Sequence, residues 1–132
     1  MGSAIIEVRN LSVHYRAKDS TVYAAEDVSF DLERGKVLAL GGESGAGKST
    51  VGLSVLRLLP GDAAIASGSI RFDGHDLAAM HDRDLRAIRG RRIAMIFQDA
   101  TAGLNPVLSI GSQVAEMLTA HTNIGKREAK KQ

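Results

Sequence analysis

The residues best suited to chemistry lie together at positions 41–50, which read GGESGAGKST. Four glycines in this run stand beside Lys48 and two hydroxyl residues, Ser49 and Thr50. Glycine has no Cβ, so successive backbone N–H groups of such a run can approach one anion closely. The Lys48 ammonium adds a fixed positive charge, the Ser49 hydroxyl can ligate Mg²⁺, and the Thr50 hydroxyl can bond a further phosphate oxygen. These residue types predict a site for a magnesium-bound triphosphate.

The spacing of the run fits the P-loop pattern, in which Gly42 and four further residues precede Gly47, Lys48 and Ser49. The pattern needs a buried strand before the loop and a helix after it. A short apolar run at residues 37–40 and a helix-like segment at 49–59 meet that need. The alternative is a flexible glycine turn that precedes a lysine by chance. The predicted phosphate-binding residues are Gly42, Glu43, Ser44, Gly45, Ala46, Gly47, Lys48, Ser49 and Thr50.

Composition narrows the classes of function. The 132 residues suit one domain, with 44% hydrophobic and 4% aromatic residues. A net charge of +2 is too small to indicate nucleic acid as a partner. The chain has no cysteine, which excludes disulfides, zinc–thiolate sites and thiol catalysis. No apolar run approaches the ~20 residues that cross a bilayer, so any connection to a membrane is expected to go through a partner.

Strand and helix patterns alternate along the chain, as in α/β proteins. Two of the strand patterns, at residues 37–40 and 93–97, are continuous apolar runs that predict buried strands. The predicted strands cover residues 5–13 (at a sheet edge), 28–32, 37–40, 67–74 (ending in an Asp-Gly hairpin turn) and 93–97, and the predicted helices cover 49–59, 82–89 and 109–121.

Two segments around the glycine run carry a family resemblance. NLSVHY at residues 10–15, followed by EDVSFDLERGKVLALGGESGAGKST at residues 26–50, resembles the start of an ABC-type ATPase domain. In that family an aromatic residue of the first segment stacks on adenine, and Tyr15 holds that position here. The alternative for Tyr15 is a half-buried strand residue, and Tyr23 is a weaker candidate for the adenine contact.

A later segment narrows the resemblance to one branch. RRIAMIFQDATAGLNPVLSIGSQVAE at residues 91–116 is similar to the Q-loop region of the ATPases that serve oligopeptide, dipeptide and nickel transport. The resemblance implies that Gln98 contacts Mg²⁺ and the attacking water. Lys48 and Gln98 are then the expected catalytic residues, and Ser49 and Gln98 the expected metal contacts. The alternative for Gln98 is a polar cap on the end of a buried strand.

The resemblance also implies a fold and a cellular setting. The expected fold is an α/β P-loop NTPase core with an antiparallel β subdomain, incomplete because residues 1–132 hold no signature loop, Walker B motif or switch histidine. The implied cofactors are ATP and Mg²⁺. The implied partners are transmembrane permease subunits, a second ABC ATPase domain in a homodimer or heterodimer, and indirectly an extracytoplasmic solute-binding protein. The implied location is the cytoplasmic face of the cell membrane, and the chain is expected to bind Mg-ATP without turning it over alone.

Two other classes of function stay open at this point. One is a complete small P-loop kinase or NTPase in which Asp99, after the apolar run at residues 93–97, serves as the Mg²⁺ carboxylate. The other is a non-catalytic module that docks on a permease without a nucleotide cycle.

Overall fold

The computed structural model describes residues 4–99 and 103–131, which form two compact units. The first unit runs as far as His81, and the second begins at Asp82. Among the described residues, no helix is long and apolar enough to cross a membrane.

The first unit is built on a four-stranded antiparallel sheet. Its strands are β1 (Ala4–Ala17), β2 (Ser20–Glu33), β3 (Ala63–Phe72) and β4 (His75–Asp76), in the spatial order β2-β1-β3-β4. The predicted hairpin turn is confirmed: Asp73 and Gly74 join β3 to β4 with φ of 51° and 79°, the left-handed pair that suits tight hairpins. The prediction of an edge strand near the N-terminus is wrong, because β1 pairs on both sides. The polar residues of β1 lie on a solvent-facing surface of the sheet and do not indicate an edge strand.

Helix α1 (Lys48–Val55) packs beside this sheet and follows the glycine run. It is shorter than the predicted helix, because Arg57 takes a left-handed φ of 50° that a helix cannot continue. The Arg57 guanidinium donates to the backbone oxygens of Leu77 and Met80, at 3.3 and 2.8 Å. These bonds hold the chain where it leaves the helix. The buried apolar residues of this unit are Val8, Leu11, Val13, Ala25, Val51, Val55, Leu56, Ile70, Phe72 and Leu77.

The two predicted buried strands at residues 37–40 and 93–97 are wrong. Both segments are irregular apart from a single bridge between Ile93 and Arg89, and both are largely exposed. Val37 and Ile96 are each 97% exposed. A buried parallel strand needs hydrogen-bonded neighbours and covering side chains. Among the described residues no strand provides them, so the apolar sequence alone does not produce a strand.

The second unit consists of short helices. These are α2 (Asp82–Ile88), α3 (Ile110–His121) and α4 (Lys126–Ala129). The helices predicted over residues 82–89 and 109–121 are confirmed, and Ser109 is the N-cap of α3, where its Oγ accepts the Ser112 N–H at 3.3 Å.

Candidate functional site

The glycine run, residues 41–50, packs against β2 through the backbone of Gly47. Gly47 is the N-cap of α1 with a φ of 79°, and a Cβ on it would lie 2.0 Å from the Ala24 carbonyl oxygen. Any other residue type would meet both the left-handed strain and this clash. Glycine therefore lets the loop backbone rest directly on the strand. Ala24 was not predicted as part of the site, and the available signal was the pair of small residues Ala24 and Ala25 in a strand.

The Lys48 side chain curls back over the loop that precedes it. Its Nζ donates to the backbone oxygens of Gly42 and Glu43, at 2.8 and 2.6 Å. These two bonds hold the ammonium against the loop instead of leaving it to sample solvent. The third N–H and the positive charge of the ammonium are then available to bind an anion. Lys48 and the loop before it thus form one hydrogen-bonded arrangement.

The first turn of α1 adds backbone donors to that charge. The intrahelical ladder begins with Val51 N–H to Gly47 O at 2.9 Å, so the amides of Lys48, Ser49 and Thr50 precede it. The N-cap residue Gly47 has no side chain that could cap these amides, and the first turn contains no acidic residue. A depression of about 170 Å³ opens here, lined by Ala24 and by residues 45–50. The site is electropositive through both the helix dipole and Lys48.

The donor set of this depression fits a magnesium-bound triphosphate. Amides, an ammonium and a hydroxyl converge on it, and the Ser49 side chain is exposed where it could meet a cation held by the phosphates. Gly45 has a φ of 83°, and a Cβ there would meet nothing within 4 Å. The loop therefore leaves open space on its outer side while it packs on β2 through Gly47.

Tyr15 lies beside the first turn of α1. Its hydroxyl is 3.5 Å from Thr50 Oγ1, and both side chains are largely removed from solvent. Tyr23 instead is 63% exposed and makes an edge contact with the His14 ring, with centroids 4.6 Å apart. His14 Nε2 is in turn 2.9 Å from Glu26 Oε1. The structure thus brings Tyr15 to the glycine-run site and engages Tyr23 in a separate surface cluster.

Gln98 and Asp99 lie in the second unit, directly after the irregular segment at residues 93–97. Both are exposed. Because that segment is not a strand, the interpretation of Gln98 as the cap of a buried strand is wrong. The metal and water contacts expected of Gln98 stay predictions. Among residues 4–99 and 103–131, no group of three or more His, Cys, Asp or Glu side chains is placed to hold a metal ion.

Arg9 of β1, which is far in sequence from the glycine run, has a perturbed pKa. The hydrogen bond from the Arg9 guanidinium to Asp31 raises the pKa of Arg9, and the negative charges of Asp31 and Glu7 add to the effect. Two nitrogens of Arg9 bond the two Asp31 oxygens, at 2.6 and 2.9 Å. This pair joins β1 to β2 on the solvent side, and neither residue lines the depression at the glycine run.

Comparison with known proteins matches the sequence profile described as "ABC transporter" to residues 25–132, most of the chain. The chain belongs to the ABC transporter family. The matched residues include the whole glycine run, α1 and Gln98, whereas Tyr15 and Ala24 precede them.

Relatives of known annotation place the chain near one branch of the ABC transporter family. It is 42% identical over 129 residues to the dipeptide transport ATP-binding protein DppD of Bacillus subtilis, covering 97% of this chain and 38% of that protein. It is 46% identical over 127 residues to a putative peptide import ATP-binding protein of Brucella abortus, covering 96% and 38%. The chain therefore spans about two fifths of the length of these relatives. Both relatives are named for peptide transport or import, the branch that residues 91–116 resemble.

A solved structure of the ABC transporter family confirms the expected fold. The structure of the bacterial ABC transporter cassette MJ0796, solved as a dimer, superposes with a TM-score of 0.78 at 24% identity. The match covers 96% of this chain and 53% of the cassette. At that identity the likeness establishes the fold alone.

Proposed function

We propose that this chain is the nucleotide-holding part of the ATP-binding subunit of an ABC transporter. The subunit would couple ATP binding and hydrolysis to the transport of peptides or of a related small solute such as nickel. One arrangement carries the proposal. The backbone of Gly47 packs against β2, and Lys48 Nζ lies 2.8 and 2.6 Å from the carbonyl oxygens of Gly42 and Glu43. The names of the relatives, which include dipeptide transport and peptide import, support the choice of solute.

In this proposal each group of residues binds a different part of Mg-ATP. The backbone amides of the run from Gly42 to Gly47 and of the first turn of α1 surround the phosphates, and Lys48 adds charge to the outer phosphates. Ser49 and Gln98 contact Mg²⁺, which when bound neutralises charge on the phosphate oxygens. Tyr15 offers its ring to the adenine base, since a ring face provides stacking area at low entropic cost.

The partners in the proposal follow the family. We infer that transmembrane permease subunits and a second ABC ATPase domain bind this protein at the cytoplasmic face of the membrane. An extracytoplasmic solute-binding protein would act on the same system indirectly. Residues 1–132 are one partial nucleotide-binding domain in this account.

The test of this proposal measures ATP binding and ATP hydrolysis separately. We expect the purified chain to bind Mg-ATP and to release no phosphate in a steady-state assay, because none of its residues matches the family's Walker B glutamate. Asp99→Asn should leave ATP binding within about twofold, since Asp99 holds no Mg²⁺ in this account. Steady-state phosphate release that is lost in Asp99→Asn would contradict the proposal and favour a small P-loop kinase or NTPase.

A further inference from the structure

Three neighbouring strands carry a left-handed residue at one level of the sheet. These residues are Asn10 in β1 with φ of 47°, Asp27 in β2 with φ of 51°, and Gly68 in β3 with φ of 90°. We call this set the bulge line. A non-glycine residue at positive φ inside a strand is uncommon, and two of the three residues here are Asn and Asp, which tolerate it best. The alignment of all three across the sheet indicates a structural device rather than separate local defects.

The strand register shifts at the bulge line. Between Val8 and Leu11, β1 has one residue more than β2, and between Arg9 and Ser12 it has one residue more than β3. Asn10 is the extra residue in both comparisons. Strand β3 regains the register at the pair Val13↔Ile65, whereas β2 has one extra residue between the partners of Leu11 and Val13 and another between those of Val13 and His14. This is the arrangement of a β-bulge, which bends a strand and redirects the side chains that follow.

The bulge line changes which side chains of β1 face the core. Val8, Leu11 and Val13 are all 0% exposed, although Leu11 follows Val8 by an odd number of residues. In an undisturbed strand, alternate residues share a face. Past the bulge line the core face therefore carries Val13 and Tyr15 instead of His14.

The neighbouring strands change face at the same level. In β2 the side chains of Val28 and Ala25 both lie toward the interior, again an odd number of residues apart. In β3 the inward positions pass from Ile70, which is 2% exposed, to Ile65, which is half-buried. Strands β1, β2 and β3 thus present one set of positions to the core before the bulge line and the opposite set beyond it.

Side-chain hydrogen bonds hold the bulge line in place. Asn10 Nδ2 donates to Asp27 Oδ1 at 2.6 Å, and the Asn10 backbone N–H donates to Ser29 Oγ at 2.8 Å. The Asp27 backbone N–H donates to Ser12 Oγ at 3.1 Å. A Cβ on Gly68 would lie 2.5 Å from the Asn10 carbonyl oxygen, so only glycine fits there. The amides that the bulge removes from the strand ladder are thereby satisfied.

From this geometry we propose that the bulge line positions the base-binding ring of the nucleotide site. Asn10 is a positioning residue: it turns Tyr15 to the face of β1 that meets α1, where the Tyr15 hydroxyl lies 3.5 Å from Thr50 Oγ1. The inference rests on the proposed function, since it concerns the contact between Tyr15 and adenine. It separates two parts of the site. The phosphates are held by the loop and α1, and the base is held by a side chain whose direction depends on the bulge line.

The test compares ligands with and without a base. The chain has two tyrosines and no tryptophan, so in a Tyr23→Phe background its fluorescence reports on Tyr15 alone. Asn10→Val places a β-branched side chain at φ of 47°, which it tolerates poorly, whereas Asn10→Gly accepts that conformation. Affinities for ATP and for inorganic triphosphate are measured by titration for each variant, and Tyr15 emission is followed as ATP is added.

The expected result is a selective loss of the base contact. Asn10→Val should weaken ATP binding by at least about fivefold, the low end for one base–aromatic stack, and leave triphosphate binding within about twofold. ATP should no longer change the Tyr15 emission in Asn10→Val, and Asn10→Gly should restore both properties. Asp73→Val, which imposes similar strain at φ of 51° in the β3–β4 turn, should leave the ratio of ATP to triphosphate affinity unchanged.

Other outcomes overturn either this inference or the proposed function. An unchanged ratio of ATP to triphosphate affinity in Asn10→Val, or an equal loss of both affinities, would overturn the role of the bulge line. If Asn10→Val does not fold, the milder Asn10→Ala is measured in the same way, and an unchanged ratio there also overturns it. A chain with native Asn10 that binds neither ATP nor triphosphate would contradict the proposed function itself.

Discussion

The contact between Gly47 and β2 explains why the glycine run adopts its shape, and Gly47→Ala tests that explanation. The added Cβ would lie 2.0 Å from the Ala24 carbonyl oxygen. Carbon–oxygen contacts between strands are about 3.3–3.6 Å long, so the loop would have to withdraw by more than about 1 Å. Displacements near 1 Å cost about a hundredfold at sites that depend on positioning. The φ of 79° adds strain of about 1–2 kcal/mol for alanine.

A matched control separates the clash from the strain. Gly35 has a φ of 71° in the turn before the loop, and a Cβ there would meet nothing within 4 Å. Calorimetric titration with inorganic triphosphate, together with urea unfolding, is carried out on Gly47→Ala and Gly35→Ala. We expect both variants to lose about 1–2 kcal/mol of unfolding free energy through strain. Gly47→Ala should also bind triphosphate at least about tenfold more weakly, while Gly35→Ala stays within about twofold.

The reasoning is refuted by equal behaviour of the two variants. If Gly47→Ala and Gly35→Ala bind triphosphate with the same affinity at matched folded fractions, the packing of the loop on β2 does not shape the site. The amides and Lys48 would then have to reach their positions without support from Ala24.

Three further predictions concern the base, the metal and the exposed apolar segments. Tyr15→Ala should weaken ATP binding about 5- to 100-fold in equilibrium titration and Tyr23→Ala should not, since only Tyr15 lies beside α1; equal losses would contradict the assignment. Ser49→Ala should weaken ATP binding in the presence of Mg²⁺ more than in the presence of a chelator, and an equal loss in both would remove Ser49 from the metal site. Val37→Thr and Ile96→Thr should lower aggregation, measured by light scattering, because both side chains are 97% exposed. Each substitution should change the melting temperature by less than about 2 °C. A marked fall in melting temperature would show that these side chains are buried in solution.

Local signals were sufficient to predict the parts of the fold that depend on nearby residues. The Asp73-Gly74 hairpin follows from the conformational preferences of those two residues, and the start of α3 follows from the Ser109 cap. The glycine run was located from its spacing alone. The contact of Gly47 with Ala24 was not predictable, because it joins residues far apart in the sequence.

The errors came from segments whose structure depends on distant partners. The apolar runs at residues 37–40 and 93–97 have the composition of buried strands, but composition does not supply the neighbouring strand that completes their hydrogen bonds. The bulge line was also missed. A strand was predicted over residues 5–13 but no extra residue was predicted in it, whereas Asn10 shifts the alternation of β1 by one residue.

The central claim, that the loop held by Lys48 binds the phosphates of ATP, is tested most directly by calorimetric titration of Mg-ATP into three forms of the chain. These are the native chain, Lys48→Ala, and Lys36→Ala, which removes the same charge from an exposed position in the turn before the loop. Hydrogen bonds to charged groups contribute about 1.5–3 kcal/mol, so Lys48→Ala should weaken binding by at least about tenfold while Lys36→Ala stays within about twofold. Equal affinities for Lys48→Ala and Lys36→Ala, or no binding by the native chain, would contradict the account.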